Sequence, residues 1–270
     1  MQPLDLEDFA FDVVSKARRG HGLSDPELAV KAGVSRNRYD DMKKNIGPSA
    51  DWMAVARVLH LHSLSLLDLV RKRYKPAPVV LPGLEMFTTN MGDMLVNAFA
   101  IHAPESKEVA IFDTGADATP ILDYIRSENL KVGAIFITHI HADHIQDLSK
   151  LLRETKAKAY VCDLEPTDGA ESFAVGREFK VGGLTIKTRR TWGHALGGIS
   201  YIVEGLDRPV AVVGDALFAG SMGGGIVSYA DALKSNREQL FTLPANTVIC
   251  PGHGPLTSIG EESKHNPFFA

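Results

Sequence analysis

The sequence predicts a mixed α+β chain, with a small all-α module followed by a larger module of alternating strands and helices. Three observations predict it. Residues 1–75 carry apolar residues at helical spacing almost throughout. The stretch KPAPVVLPG, residues 75–83, then sets three prolines in nine positions. Beyond it, short apolar runs of strand type alternate with amphipathic helical stretches. The break divides the chain into modules 1–76 and 77–270.

Composition agrees with this division. The 270 residues are 44% hydrophobic and 23% charged, ordinary for a globular protein. The net charge of −4 is uneven: residues 1–75 hold 13 Lys+Arg against 10 Asp+Glu, and the remainder is at −7. No segment approaches the roughly 18 uninterrupted apolar residues of a membrane span, so no membrane partner is expected. The acidic start MQPLDLEDFAFDVV is unlike a secretory signal, and Cys162 and Cys250 are too few for a disulfide scaffold. A reducing cytoplasm is the expected setting.

In the first module, LDLEDFAFDVVSKA (residues 4–17) reads as a helix ended by RRGHG. SDPELAVKAG follows, with Ser24 and Glu27 at capping-box spacing, Pro26 in the first turn and Gly33 as the stop. Ser35 is expected to cap RNRYDDMKKN, and Ser49 to cap ADWMAVARVLHL; LSLLDLVRKRY makes a fifth helix. Helix, tight glycine joint and helix form a helix-turn-helix arrangement. The run LSDPELAVKAGVSRNRYDDMKKN…PSADWMAVARVLHLHSLSLLDL resembles the phage-repressor-like family. The resemblance implies DNA binding, with Arg36, Asn37 and Arg38, followed by Tyr39, at the start of the recognition helix. Asp25, Asp40 and Asp41 oppose that use, and a homodimer or docking on the second module is its rival.

In the second module, MLVNAFAIHA and EVAIFDTG read as neighbouring strands joined at PESK. The helix ATPILDYIRSENL, the buried-type strand VGAIFIT and the helix DLSKLLRETK come next. KAYVC, LTIKTRRT, ISYIVEG, PVAVVG and NTVIC complete the strands. Five polar clusters follow strands directly: DTGAD at 113–117, HIHADH at 139–144, WGHALGG at 192–198, GDALFAG at 214–220 and PGHG at 251–254. Loops at strand C-terminal ends converge on one rim in layered folds, and sites are built there.

Imidazole and carboxylate groups suit zinc and iron, each of which needs about four donors. The H-x-H pair brings two rings to one ion, while the adjacent D-H pair can serve a second. With His194, Asp215 and His253, seven donors are available, enough for two ions sharing one carboxylate. THIHADH, GHALGGISY, GDALFAG and PGHGPLT…EESKHNPFF together resemble the metallo-β-lactamase fold superfamily, nearest to its glyoxalase II (hydroxyacylglutathione hydrolase) branch.

That resemblance implies an αββα sandwich with a binuclear site at one edge. Carried over by motif, His139, His141 and His194 take one metal; Asp143, His144 and His253 take the other; Asp215 bridges them. The cofactors implied are two divalent ions, zinc first, with iron or manganese as alternatives. Two such cations make a water nucleophilic near neutral pH, with Asp143 and Asp215 as the catalytic carboxylates. The substrate expected is a small thioester, ester or lactone.

Asp113 is left out of the ligand set as a structural turn residue. Trp192, Phe268 and Phe269 are expected to pack, and Ser221 to sit in a turn. GHALGG replaces the branch's GHTPG, and no arginine follows GDALFAG. Only 17 residues follow His253, so the branch's glutathione-holding helical domain is not expected. The alternatives are a mono-iron persulfide dioxygenase and a DNA-binding regulator that uses the metal module as a sensor. Every expected ligand lies beyond residue 76, so residues 77–270 are expected to act alone.

Overall fold

The computed structural model describes residues 4–270; the first three residues of the acidic start lie outside it. Five helices come first: α1 (Ala10–Gly20), α2 (Asp25–Ala32), α3 (Arg36–Met42), α4 (Ser49–Val58) and α5 (Ser63–Val70). The local signals of α2 act as read. The Ser24 hydroxyl accepts from the Glu27 backbone, the Glu27 carboxylate accepts from Ser24 N, and Gly33 ends the helix at φ 66°.

Other helix boundaries differ from the sequence expectation. The first helix starts at Ala10, not residue 4, because the Asp12 carboxylate accepts from Phe9 N and caps it there. Residues 4–9 instead run across the second module. Ser35 is an N-cap by position without a side-chain cap bond. Ser49 lies inside α4, behind Pro48, and its hydroxyl accepts from Arg71.

Two six-stranded sheets follow. The first orders β1 (Leu84–Met91), β2 (Met94–Ile101), β3 (Glu108–Phe112), β4 (Lys131–Phe136), β5 (Ala159–Cys162) and β6 (Ala170–Phe173). Helices α6 (Thr119–Ser127), the short α7 (Ala142–Ile145) and α8 (Leu148–Thr155) are its connections. The second sheet orders β7 (Glu178–Val181), β8 (Leu184–Arg190), β9 (Ile199–Glu204), β10 (Val210–Gly214), β11 (Val248–Pro251) and β12 (Thr257–Ser258). Its helices are α9 (Tyr229–Gln239) and α10 (Ile259–His265). β1, β6, β7, α9 and α10 have no clear sequence signal; α9, YADALKSNREQ, buries only Ala232, Ser235 and Asn236.

Side-chain alternation sorts the strands into layers. Phe99, Ile101, Phe112 and Phe136 of the first sheet meet Ile186, Tyr201, Val203 and Val212 of the second between the sheets. Ala98, Ala100 and Ile111 point the other way, onto Ile121 and Ile125 of α6 and Leu148 and Leu151 of α8. Ile202, Ala211 and Val213 pack outward on Leu240 and Ile259. This is a four-layer arrangement, helices outside two sheets. Among the described residues, no helix is long and apolar enough to cross a membrane.

The helices α1–α5 share one core with the second module. Trp52, Val55, Leu66 and Val13 pack in the same cluster as Ala219, Met222, Ala232 and Phe268. Polar contacts reinforce it. Tyr74 Oη donates to the buried Glu262 carboxylate at 2.6 Å, and that carboxylate also accepts from Gly220 N, Thr257 Oγ1 and Asn266 Nδ2. Gly220, at φ 71°, lies against Leu69 and Tyr74, with a Cβ there only 3.1 Å from either side chain.

Candidate metal centre

The strands deliver the site at one edge. β3, β4 and β5 are parallel, and β11 runs parallel to β10. β8 and β10 both run antiparallel to β9. The residues that follow β3, β4, β8, β10 and β11 therefore emerge together: Asp113, His139–His144, His194, Asp215 and His253. Asn97 on β2 stitches the last of these loops in place. Its side-chain amide donates to Pro251 O at 3.0 Å and Gly254 O at 2.8 Å.

All seven sequence-derived donors meet there, in two groups. His139, His141, His194 and Asp215 have ligand-type atoms within 4.8 Å of one another, as do Asp143, His144 and His253. His141 Nδ1 lies 3.0 Å from both His139 Nε2 and His194 Nε2. Asp215 faces both groups, Oδ2 being 3.3 Å from His194 Nε2 and Oδ1 3.3 Å from His144 Nε2 and 3.5 Å from His253 Nε2. Asp143 Oδ2 is 3.3 Å from His253 Nε2. Ligands about 2.0–2.1 Å from a tetrahedral ion stand ~3.3 Å apart, so these separations suit one.

Two further observations test the fit. His144 Nε2 and Asp215 Oδ1 are buried with no hydrogen-bond partner, which is costly unless an ion takes them. In four of the five histidines the other ring nitrogen is occupied from behind. His194 Nδ1 donates to Gly224 O at 2.9 Å, and His253 Nδ1 to Leu95 O at 2.6 Å. His144 Nδ1 pairs with Asp113 Oδ2 at 2.8 Å. The Thr138 hydroxyl donates to the same Asp113 oxygen at 2.7 Å, so it accepts from His139 Nδ1 at 3.0 Å. Such outer bonds fix the tautomer and leave Nε2 lone pairs converging. The donor set therefore fits divalent metal ions.

Electrostatics divide the two groups. Burial, with the neighbouring imidazoles, holds His139 well below its ordinary pKa, and burial also lowers His194. Burial likewise opposes charge on His144, but Asp215 and Asp113 outweigh it and raise this imidazole to about 10. His253 rises to about 11 in the same way, against its burial, through Asp143 and Asp215. Asp215 resists its own burial because His144 and His253 keep it ionised.

Sequence reasoning did not foresee the supporting residues. Asp113 is no mere turn residue: at φ 57° it is buried and accepts from Thr138 N at 2.7 Å as well as contacting His144. The signal was present, an aspartate directly after an apolar strand. Gly252 is required by close approach: a Cβ there would strike Asp215 Oδ1 and come within 2.6 Å of His144 Cε1. Ser221 is buried in a tight bridge with Phe218, and its hydroxyl donates to Asp8. Trp192 lies under Arg190, Phe268 enters the helical core and Phe269 packs on Phe241, as packing residues do. Cys162 and Cys250 are buried free thiols.

Known proteins resemble this chain in sequence and in fold. The chain is 29% identical over 204 residues to the "Probable metallo-hydrolase YqgX" of Bacillus subtilis (strain 168), covering 66% of this chain and 94% of that one. Its fold is similar to that of the BLEG-1 B3 metallo-β-lactamase, with TM-score 0.59, 27% identity, and 68% and 99% of the two chains covered. It is also similar to ETHE1 from Myxococcus xanthus, with TM-score 0.58, 26% identity, and 68% and 83% covered. Residues 91–253, from the end of β1 to the last histidine of the cluster, match the metallo-β-lactamase superfamily, and the chain belongs to it.

Proposed function

We propose that this protein is a binuclear metal-dependent hydrolase acting on a small thioester, ester or lactone, in the manner of the glyoxalase II branch. The observation that carries the reading is the position of Asp215, whose two oxygens separately face two complete donor groups. His139, His141 and His194 would hold one ion and Asp143, His144 and His253 the other, with Asp215 shared. Zinc is the metal proposed. Ions so held would supply Lewis acidity and lower the pKa of a bound water.

The chain's own residues do the rest. Asp113 and Thr138 keep His144 and His139 turned inward. Asp143, half-buried beside His253, is placed to accept a hydrogen bond from the attacking water and orient it. The bond broken is the acyl carbon to sulfur or oxygen bond, and no covalent enzyme intermediate is needed. The test is a panel of thioester, lactone and phosphodiester substrates on metal-analysed protein. Thioester or lactone turnover that a chelator abolishes supports the reading; turnover of the phosphodiester alone overturns it.

The helical segment carries a second reading, duplex DNA binding. It is favoured by the exposure of Arg36, Asn37 and Arg38 on the first turn of α3, behind the Gly33 turn. It is opposed by Asp51, which pairs with Arg38, and by Asp40, 3.9 Å from Arg36. Docking on the metal module is the rival use, and the core that the segment shares with that module supports it. A gel-shift series on random and operator-like duplexes tests it: binding that weakens steeply with salt and is lost on Arg36→Ala supports DNA. No shift at any salt overturns it, and a measured mass of one or two chains decides the homodimer.

A further inference from the structure

The helical segment meets the metal centre through one loop, residues 216–225, which leads from Asp215 toward α9. One side of this loop supports the donors. Gly223 N donates to Asp215 O at 3.0 Å, and a Cβ on Gly223 would come within 2.9 Å of His194 Nδ1. The next carbonyl, Gly224 O, is the one that accepts from His194 Nδ1. The Phe218 ring stands edge-on to the His253 ring, 5.6 Å between centroids. Three of the seven donors, His194, Asp215 and His253, therefore lean on this loop.

Lys16 of α1 holds the same loop at three points. Its Nζ donates to Met222 O at 2.9 Å and lies 5.0 Å from the centre of the Phe218 ring. It also pairs with the Asp8 carboxylate, which accepts from the Ser221 hydroxyl. Ser221 and Met222 are fully buried, and the Lys16 and Asp8 side chains are only 14% and 8% exposed. Charge-assisted bonds in so dry a place are short, directional and costly to break. The loop has little stiffness of its own, with glycine at 220, 223, 224 and 225 and one bridge between Phe218 and Ser221. Lys16 and Asp8 also precede the 91–253 stretch that defines the superfamily. The clamp is an addition carried by this chain's helical segment.

We infer that Lys16 is a positioning residue for the metal centre, fixing the 216–225 loop so that Asp215 and His253 keep their metal-binding separation. The inference rests on the reading of the seven donors as a binuclear centre. Lys16 acts through Met222 O, Asp8 and Phe218. A bridging carboxylate serves both groups only while its two oxygens face them together. A loop free to shift turns Asp215 away from one of them, and affinity for metal falls, as it does when other supports behind a ligand are lost.

The experiment is competition for zinc between the full-length protein and a chromophoric chelator, with circular dichroism reporting the fold. Lys16→Met keeps an apolar stem near Phe218 and removes the charged head; zinc binding is expected to weaken about tenfold. Lys16→Arg, which retains charge and donors, should stay closer to wild type. Ser221→Ala removes only the loop's bond to Asp8 and should weaken zinc in the same direction by a smaller factor. Val55→Ala trims the helical core without touching any of these bonds, and should leave the affinity unchanged. Wild-type affinity in a folded Lys16→Met protein overturns the inference with the metal centre intact. If Lys16→Met does not fold, wild-type affinity in Ser221→Ala overturns it instead. An equal loss in Val55→Ala also overturns it, since general destabilisation then accounts for the effect. Wild-type protein that takes up no zinc removes the metal centre, and both readings with it.

Discussion

Asp215 Oδ1 and His144 Nε2 face each other across 3.3 Å in the buried floor of the site, and neither has a hydrogen-bond partner. Held this close without a hydrogen bond between them, the oxygen and the nitrogen are placed for an ion to take both. The rest of the site is arranged around that pair. Asp113 fixes the far side of the same imidazole, and the Gly252 backbone passes too close for any side chain.

Asp113→Asn should therefore weaken metal binding without touching a direct ligand. It removes the charge behind His144 Nδ1, and outer-shell losses of this kind cost about 10–100-fold in affinity. Competition with a chromophoric chelator measures it. Wild-type affinity in a folded Asp113→Asn protein would mean the pair is only structural.

Metal uptake should release protons and strengthen as pH rises. His144 and His253 are raised to about 10 and about 11 in the metal-free protein, so both carry protons at pH 7 that an ion must displace. The sign for stability runs the other way. A raised imidazole pKa stabilises the metal-free fold fully below the unfolded value of roughly 6.5 and loses that contribution as pH rises through about 10 to 11. Titration of zinc in buffers of different ionisation enthalpy reports the protons, and urea midpoints from pH 7 to 11 report the loss. No proton release at pH 7 would contradict the arrangement of charges.

Tyr74→Phe should destabilise the whole chain. It strips one of four donors from the buried Glu262 carboxylate, a loss of about 1–3 kcal/mol. Urea unfolding followed by tryptophan fluorescence gives the value, and an unchanged midpoint would count against the network.

Residues 77–270 should be unstable alone, contrary to the sequence expectation. Removing the helices uncovers Ala219, Met222, Ala232 and Phe268, all buried in the shared core, and takes Tyr74 from Glu262. A soluble fragment with the melting temperature of the intact protein would show that the shared core contributes little.

The contrast between these residues explains what the sequence disclosed. The seven donors were legible because they crowd into short polar stretches that follow strands, and strand direction brings those stretches to one edge. The two sheets were legible in outline through runs such as VGAIFIT and PVAVVG. Asp113 lies outside both donor groups, as read, but the imidazole it holds, His144, is 31 positions away and was not foreseen. Residues 4–9 were misread because Leu6, Phe9, Ala10 and Val13 fit a helical spacing, whereas contacts with Ser221 and Gly254, more than 200 residues on, help hold the segment out of the helix. The helical module showed its Ser24–Glu27 capping box locally, but a core shared with Met222 and Phe268 leaves no local trace.

The central claim is a bridged binuclear centre, and elemental analysis of purified protein beside Asp215→Ala tests it most directly. The account predicts close to two divalent ions per wild-type chain, with chelator-sensitive thioester or lactone hydrolysis. It predicts loss of metal and of that activity in a folded Asp215→Ala variant. One tightly held iron per chain with oxygen consumption on a persulfide, or wild-type turnover by Asp215→Ala, would contradict it.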